Sequence, residues 1–451
     1  MLVNISVSNF RSFKEKTTFS MKAGKSRAFT ERMVNTAKTR VLKFKAIYGA
    51  NSSGKSNIVL ALDFMRAAVL NGVPGNASND YCRLGEENPQ KPSSFEMNVI
   101  FDNVYYTYGF EILLSEGKFL KEWLYERKGV KDNVLFDRDV KKGEYDLSFY
   151  RSSKSLFDRL CIYADDVKND TSTLFLTIMN QNKDALYLDD SKIKIFQTLF
   201  NWFGSKLSVN FPDTPITPYS YFFNSVGCKN AEAMLSKLDT GISEVTICDE
   251  PSEKVFPRLP KEMVQDILDN LKNQKKHIDS NGSSNNPAVM LRESEGHSMY
   301  IIEMHGDDII CKTLKFKHNH SNSLFSLMDE SDGTVRILDL LEVLFSEETN
   351  MVYIIDEVNR KLHPLMTKSF IKEYLAMAEK RNIQLIVTTH ETIIMDLDLL
   401  RQDEIGFVKK SKQDGSSCLF NLDELGARFD KKIKNAYLKG DYGAIPEIEN
   451  L

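Results

Sequence analysis

The sequence predicts an α/β fold in which two β-rich ends build one domain and a mainly helical middle part is inserted between them. Three observations favour this fold. Up to about residue 150, apolar and polar residues alternate between tight turns, as they do in strands. From about residue 151, apolar residues recur at helical spacing. Near the C-terminus, the apolar runs "MVYIID" and "IQLIVTTH" flank a helical stretch, which predicts a parallel strand–helix–strand crossover.

The chain therefore divides into three predicted segments. Residues 1–150 form the N-terminal part of the β-rich domain, residues 151–297 the mainly helical insertion, and residues 298–451 the C-terminal part of the same domain. A chain of 451 residues is long for one compact core, which also favours such a division. The strongest loop signal, "HIDSNGSSNNP", lies near the end of the insertion.

The N-terminal segment contains several predicted strands and one helix. "MLVNISVSNF" and "TTFSM" alternate as strands, and the apolar run "VLKFKAIYG" ends in a glycine turn. A helix is expected from about Ser56 to Asn71, where Asn-Gly ends it. The aromatic and β-branched stretches that follow read as hairpins, with Asp102 and Asn103 in one turn.

Composition excludes several classes of protein. The chain is 42% hydrophobic and 27% charged, as in ordinary globular proteins, and its net charge of -4 gives no general attraction to nucleic acid. No apolar run is long enough to span a bilayer, and the first residues do not read as a signal peptide. The six cysteines form no Cys-x-x-Cys pair, which argues against zinc and a disulfide framework. We therefore expect a cytoplasmic protein without a membrane partner.

The stretch "GANSSGKSN" predicts a nucleotide site. Gly49, Gly54, Lys55 and Ser56 match the P-loop pattern, in which backbone N–H groups and a helix N-terminus surround phosphates. Lys55 then binds the β- and γ-phosphates and the Ser56 hydroxyl binds Mg²⁺. The alternative is a glycine turn before an ordinary helix. The predicted nucleotide-binding residues of this loop are Gly49, Asn51, Ser52, Ser53, Gly54, Lys55, Ser56 and Asn57.

Two later strands end in residues suited to hydrolysis. "MVYIIDEVNR" ends at Asp356, which we expect to bind Mg²⁺, and Glu357, which we expect to polarise the attacking water. The next strand ends at His390, which is expected to contact the γ-phosphate or that water. Each has a plainer interpretation, since strands commonly end in solvated acids or a surface histidine.

With these motifs in this order, the chain resembles the ABC-class ATPase heads of SMC proteins, double-strand-break repair ATPases and OLD nucleases. It is more closely similar to the AAA/ABC-type ATPases called RloA-like or AbiL-like, which are bacterial proteins found near restriction or abortive-infection genes. The stretches that carry the resemblance are "VSNFRSF", "YGANSSGKSN", "DESDGT", "IDEVNRKLHP", "VTTHET" and "YLKGDYGAIP". The helical middle part matches loosely.

The resemblance implies an ABC-type P-loop ATPase head, with mixed β-sheets and flanking helices, that carries a large helical insertion. It implies that Arg11 lies beside the nucleotide, although a solvated arginine at a strand end is an equal alternative. Ser331, Gly333 and Thr334 would be the ABC signature, which caps the γ-phosphate bound to a second subunit. Taken alone, this stretch is an ordinary helix cap. His363, with its two neighbours, would belong to the loop that couples the two sites.

Three departures from the family matter. Asp332 puts a negative charge where a phosphate should dock, so either its side chain points away or the site is weak. No glutamine can be singled out as a magnesium-sensing residue, and Gln181 and Gln197 both lie in the helical part. The chain also lacks heptads for a long coiled-coil arm.

The resulting functional hypothesis is an ATPase that binds ATP and Mg²⁺ and acts as a dimeric switch in bacterial anti-phage defence of the abortive-infection type. A homodimer or larger homo-oligomer would share composite ATP sites and control a separate effector, a nuclease, after a nucleic-acid or phage-protein trigger. We find no nuclease motif in the chain itself; "HNHSN" reads as a loop. The alternative is an SMC-like ATPase of DNA repair or chromosomes that acts directly on DNA. A transporter subunit fits less well, because the signature is atypical.

Overall fold

The structure is a computed structural model. It describes residues 1–36, 39–128, 131–187, 192–216, 219–223, 225–281, 286–292, 299–425 and 433–445. Part of the predicted loop "HIDSNGSSNNP" (residues 282–285) and the last residue of "YLKGDYGAIP" lie outside the described residues. In the described ranges, no helix combines the length and the apolar character that crossing a membrane requires.

The chain forms two compact units. Unit 1 consists of Met1–Pro212, Glu348–Arg360 and Leu375–Leu451, and unit 2 of Asp213–Glu347 and Lys361–Tyr374. The predicted segment boundaries at 150 and 297 remain a prediction.

The strands and α-helices of the described residues are numbered in chain order. Strands β1 to β20 span Leu2–Ser8, Thr17–Ser20, Met33–Asn35, Arg40–Leu42, Phe44–Tyr48, Ser93–Phe101, Val104–Leu113, Lys118–Lys128, Lys131–Asp139, Glu144–Asp146, Leu207–Asn210, Ile242–Glu250, Ala288–Arg292, Met299–His305, Asp308–His318, Leu324–Ser326, Val352–Ile355, Gln384–Thr388, Ile405–Lys410 and Ser417–Asn421. Helices α1 to α10 span Lys55–Asn71, Lys154–Val167, Phe175–Met179, Lys194–Asn201, Ser225–Lys237, Ser252–Val255, Lys261–Asn281, Asp332–Phe345, Pro364–Ala378 and Ile433–Leu438.

Unit 1 contains a seven-stranded antiparallel sheet in the order β10-β9-β8-β7-β6-β1-β2. The predicted hairpin turn between β6 and β7 is confirmed. Asp102 and Asn103 both have left-handed backbones, with φ of 48° and 63°, as a tight hairpin turn with the right twist requires.

The second sheet of unit 1 has the order β11-β17-β18-β5-β19-β20. All its pairs are parallel except β19 with β20, which confirms the predicted crossover from β17 through α9 to β18. Because parallel strands end at the same edge, the residues that follow β5, β17 and β18 meet there. This edge carries the candidate site.

Helix α1 and one buried glutamine join the two sheets of unit 1. The α1 residues Ile58, Leu62 and Met65 share a buried face at helical spacing, and Phe64 stacks on Phe95 of β6 with ring centroids 4.7 Å apart. Gln384 accepts a hydrogen bond from the Leu2 N–H (2.7 Å) and donates to the carbonyls of Leu2 (2.9 Å) and Leu42 (3.0 Å). Its amide therefore satisfies backbone groups that would otherwise be buried without partners.

Unit 2 contains a sheet in the order β12-β15-β14-β13, with β16 paired to β15. One face of this sheet packs on α6 and α7 through a small core that includes Val255, Leu271 and Ile302. The stretch "KEMVQDILDNLKNQKK", which lies in the segment predicted to be mainly helical, forms part of α7. The strands β11, β12 and β13 lie within the segment that the sequence predicts to be mainly helical.

Candidate functional site

The P-loop connects the buried strand β5 to helix α1. Gly54 precedes α1 with a φ of 106°, and Ser52 also has a left-handed backbone, with a φ of 62°. A Cβ at Gly54 would lie 2.5 Å from Ser417 Oγ and 2.6 Å from Ser12 Oγ, so only glycine fits there. The α1 N-terminus has no side-chain cap. Its first N–H groups can therefore donate to an anion.

Lys55 lies within this loop. Its ammonium group donates to the carbonyls of Gly49 (2.9 Å) and Ala50 (3.0 Å), and the side chain is buried. Burial lowers the pKa of Lys55 to about 8, against the opposing effect of the Asp356 and Glu357 carboxylates. A phosphate in the loop would provide the negative partner that the two carbonyls only partly replace.

Asp356 and Glu357 follow β17 and are linked by Thr388 at the end of β18. The Thr388 hydroxyl donates to Asp356 Oδ1 and accepts from the Glu357 N–H at 2.8 Å. The Asp356 carboxylate is buried, whereas Glu357 has a left-handed backbone with a φ of 48° and lines a cavity. The two bonds of Thr388 therefore hold the Asp356 carboxylate in the protein interior and position Glu357 at the cavity.

His390 and Arg11 reach the same cavity from two other segments. Burial, and after it the Lys55 charge, lowers the pKa of His390, which favours the neutral imidazole. Arg11 lies in the turn after β1, where its guanidinium forms a 2.9 Å ion pair with Asp80 and its N–H donates to the Asp80 carbonyl at 2.7 Å. Its side chain is 41% exposed. This ion pair holds Arg11 at the cavity wall.

The cavity has a volume of about 740 Å³ and an open mouth. Many of its lining residues are predicted site residues: Arg11, Asn51, Ser52, Ser53, Gly54, Lys55, Ser56, Asn57, Glu357 and His390. Gly49 and Asp356 lie just behind this lining, where they bond Lys55 and Thr388. The sequence did not indicate the remaining lining residues, which are Ser12, Asn79, Tyr81, Arg83, Leu84, Lys410 and Gly415. Ser12 lies within the quoted stretch "VSNFRSF" and Lys410 ends β19, whereas the others lie outside every quoted stretch.

The charge of the lining suits an anion. Arg11, Lys55, Arg83 and Lys410 are its cations, and Glu357 is the one acid among the described lining residues. The chain as a whole carries a net charge of -4. The positive charge is therefore local, as expected for a phosphate site.

The residues also fit a triphosphate with a divalent cation. Ser53 Oγ is buried with no hydrogen-bond partner among the described residues, so its hydroxyl is available to a bound phosphate group. Ser56 and Asp356 provide a hydroxyl and a carboxylate, which are hard oxygen ligands of the kind that Mg²⁺ prefers.

The predicted signature residues belong to unit 2. Ser331 is the N-cap of α8: its Oγ accepts from the Thr334 N–H at 3.1 Å and lies 2.9 Å from the Thr334 hydroxyl. The Asp332 carboxylate pairs with the Lys361 ammonium at 3.3 Å. A Cβ at Gly333 would lie 3.0 Å from the Lys361 carbonyl oxygen, so this position has little space for a side chain. The geometry within unit 2 is that of a satisfied helix cap.

His363 caps helix α9, whose first turn lies in unit 2. Its Nδ1 accepts from the Leu365 N–H at 3.2 Å, and its carbonyl accepts from the N–H groups of Met366 and Thr367 in the first turn of α9. This role needs no contact with a nucleotide. The coupling role of His363 stays a prediction.

Comparison with known proteins identifies a family. The sequence profile described as "AAA domain, putative AbiEii toxin, Type IV TA system" matches residues 44–157 and 248–396, which is more than half of the chain. These segments contain the P-loop, Asp356, Glu357, His390 and the predicted signature. No curated protein sequence matches the chain.

Three similar solved structures are SMC heads. The SmcHead bound to the C-winged helix domain of ScpA has 14% identity and a TM-score of 0.42, with 93% of this chain and 97% of that one covered. The SMC head domain from Thermotoga maritima has 12% identity and a TM-score of 0.36, with coverage of 93% and 98%. The Smc head domain with an extended coiled coil bound to the C-terminal domain of ScpA, from Pyrococcus furiosus, has 14% identity and a TM-score of 0.38, with coverage of 98% and 99%.

Proposed function

Because the chain belongs to the AAA-domain family described as "putative AbiEii toxin, Type IV TA system", we propose that it is a P-loop ATPase that acts as a dimeric switch in bacterial anti-phage defence. The predicted α/β fold class is confirmed by the family and by the mixed sheets with flanking helices. The observation that carries the ATPase proposal is one cavity that brings together Lys55, Glu357 and His390.

In this proposal each residue has a distinct role. Lys55 and the N–H groups at the start of α1 bind the phosphates, and Arg11 binds beside them. Ser56 and Asp356 hold Mg²⁺, which withdraws charge from the phosphate oxygens when bound. Glu357, placed by its bond to Thr388, accepts a proton from the attacking water. The neutral ring of His390 hydrogen-bonds the water or the γ-phosphate.

The switch requires a second subunit. We propose that Ser331, Gly333 and Thr334 of one chain complete the nucleotide site of another, so that ATP joins two chains and hydrolysis separates them. After a nucleic-acid or phage-protein trigger, the ATP-joined dimer releases or activates a separate effector, a nuclease, and hydrolysis resets the dimer. The family description supports a system of more than one protein, because it names a toxin of a toxin–antitoxin type.

A mixing experiment tests the composite site. Ser331→Arg alone and Glu357→Gln alone should each hydrolyse ATP poorly. A mixed dimer has one site with both defects and one intact site, so mixing the two variants should restore partial activity. Mixing Ser331→Arg with Lys55→Ala gives the same pattern and serves as a second pair.

Two outcomes would contradict this proposal. If mixing restores nothing while each variant still folds and the Ser331→Arg chain binds ATP, the sites are not shared between chains. If duplex DNA alone stimulated hydrolysis and bound the wild-type dimer with a steep salt dependence, direct action on DNA would replace the effector switch.

A further inference from the structure

A buried hydroxyl lies directly behind the P-loop. Ser417, the first residue of β20, donates its hydroxyl proton to the Ser53 carbonyl at 2.5 Å, and its Oγ lies 2.7 Å from Ser12 Oγ. Asn57 of α1 donates to the same Ser12 hydroxyl at 2.6 Å, and the Ser417 N–H donates to the Ser12 carbonyl at 2.8 Å. The loop after β1, the P-loop and the start of β20 thus meet in one hydrogen-bonded group.

The bond to Ser53 fixes the direction of the next peptide N–H. In a planar trans peptide, the C=O of one residue and the N–H of the next point in opposite directions. Since the Ser53 C=O points to Ser417, the Gly54 N–H points away from Ser417. Gly54 lines the cavity, whereas Ser417 is not among the lining residues. Among the described residues, the Gly54 N–H donates to no backbone acceptor.

We propose that Ser417 is a positioning residue for nucleotide binding, because its hydroxyl holds the Ser53–Gly54 peptide with the Gly54 N–H turned toward the phosphates. The inference rests on the proposed ATP site and adds to it a residue that no motif contains. Ser12 and Asn57 act one step further away, because they hold the Ser417 hydroxyl in place.

The same contacts explain why the loop is closely packed behind Gly54. A Cβ at Gly54 would meet both Ser417 Oγ and Ser12 Oγ within 2.6 Å. The hydroxyl group therefore occupies the space that a side chain at residue 54 would need. Without the Ser417 donor, the buried Ser53 carbonyl loses its partner, and the peptide gains an alternative orientation with its N–H turned out of the cavity.

The experiment compares Ser417→Ala with a matched control. The control is Ser416→Ala, which removes the neighbouring hydroxyl, bonded to Asp414 at 2.7 Å in the exposed hairpin loop. Calorimetry measures the dissociation constants of ATP and of inorganic tripolyphosphate. Ser417→Ala should weaken both by about five- to tenfold, the range expected for one lost hydrogen bond, and Ser416→Ala should change neither.

Three further measurements separate positioning from a general structural role. First, the weakening should be the same for tripolyphosphate as for ATP, because the peptide faces the phosphates. Second, Ser417→Thr retains the hydroxyl and should restore most of the affinity. Third, KM for ATP should rise more than kcat falls, since the bound ground state loses the same N–H contact.

A double-mutant cycle covers the case in which Ser417→Thr does not fold. Ser12→Ala should weaken ATP binding less than Ser417→Ala, and the double variant should be no weaker than Ser417→Ala alone. Additive losses, or unchanged affinity for tripolyphosphate in folded Ser417→Ala, would overturn the proposal. Each of these outcomes is a change in affinity relative to the wild-type protein. Failure of the proposed ATP site would instead appear as a wild-type protein that does not bind ATP.

Discussion

Two helix N-termini that were both predicted to contact phosphate differ in how their own chain satisfies them. Helix α1 begins after Gly54, has no side-chain cap, and carries Lys55 at its first position. Helix α8 begins after Ser331, whose Oγ accepts a first-turn N–H, and it carries Asp332 at its first position. The N-terminus of α1 therefore offers N–H donors and the positive charge of Lys55. The N-terminus of α8 has one N–H group already bonded to Ser331 and carries the negative charge of Asp332.

The two helix N-termini therefore differ in how easily an anion can bind to them. At α1, an anion gains N–H donors that have no side-chain competitor. At α8, an anion must displace the Ser331 cap and approach Asp332, which Lys361 partly neutralises at 3.3 Å. The contacts of α1 therefore support its proposed role, whereas the proposed role of α8 depends on the family resemblance and on a second subunit.

The largest expected effect is the loss of ATP hydrolysis in a variant that still binds ATP at α1. Glu357→Gln leaves the P-loop intact but removes the group that accepts a proton from water. ATP binding should stay within about twofold, and kcat should fall about 10³-fold, or about 4 kcal/mol of transition-state stabilisation. Stopped hydrolysis should also leave an ATP-bound dimer that size-exclusion chromatography detects. Full hydrolysis in this variant would remove Glu357 from the catalytic role.

Lys55→Ala tests the α1 end directly. The loop N–H groups remain, but they lose the one ammonium group that bonds within the loop, so ATP affinity should fall about 100-fold or more. Calorimetry measures the change, with Lys412→Ala in the exposed β19–β20 hairpin as a control for loss of one positive charge. Unchanged affinity in Lys55→Ala would show that the P-loop assignment is wrong.

Ser331→Arg tests the α8 end. Binding of ATP to the single chain should stay within about twofold, but ATP-dependent dimerisation should weaken at least about tenfold, because bulk stands where the partner's phosphate docks. Sedimentation velocity with and without ATP measures this. Ser323→Arg, at an exposed loop position before β16, is the matched control. Gly333→Asp should act in the same direction. If these variants hydrolyse ATP normally as monomers, the composite site fails.

The smallest effect is on stability. Ser331→Ala removes the cap of α8 and should lower the free energy of unfolding by about 1 kcal/mol, whereas Ser331→Asn keeps a capping oxygen and should lose little. Urea unfolding measures both. A loss of dimerisation in Ser331→Ala at unchanged stability would mean that this hydroxyl serves the partner's nucleotide more than its own helix.

The candidate site was predictable where its residues are contiguous in sequence. The P-loop and the Asp356–Glu357 pair are short stretches at strand ends, so period and residue type suffice to find them. Thr388 stood within the quoted stretch "IQLIVTTH", but its bonds to both acids appear only when β17 and β18 pair. Ser417 has no local signal at all, because its partner carbonyl lies 364 residues away along the chain.

The fold shows the same limit. The crossover from β17 to β18 and helix α1 were predicted, because each has a clear local pattern of apolar residues. Strand β12 was not predicted, since its sequence "ISEVTICDE" is half exposed and its pairing partner β15 is distant in the chain. Pairing across such a distance depends on tertiary contacts and leaves only a weak local pattern.

The left-handed backbone of Glu357 has a consequence for evolution in the laboratory. With a φ of 48°, this glutamate holds a conformation that costs an ordinary L-residue about 1–2 kcal/mol and costs glycine almost nothing. Glu357→Gly should therefore be tolerated by the fold, or even raise its melting temperature, while it removes the acid that faces the cavity. Laboratory selection for heat resistance alone would therefore favour Glu357→Gly and an inactive protein. Selection for both heat resistance and ATP hydrolysis would retain the strained glutamate.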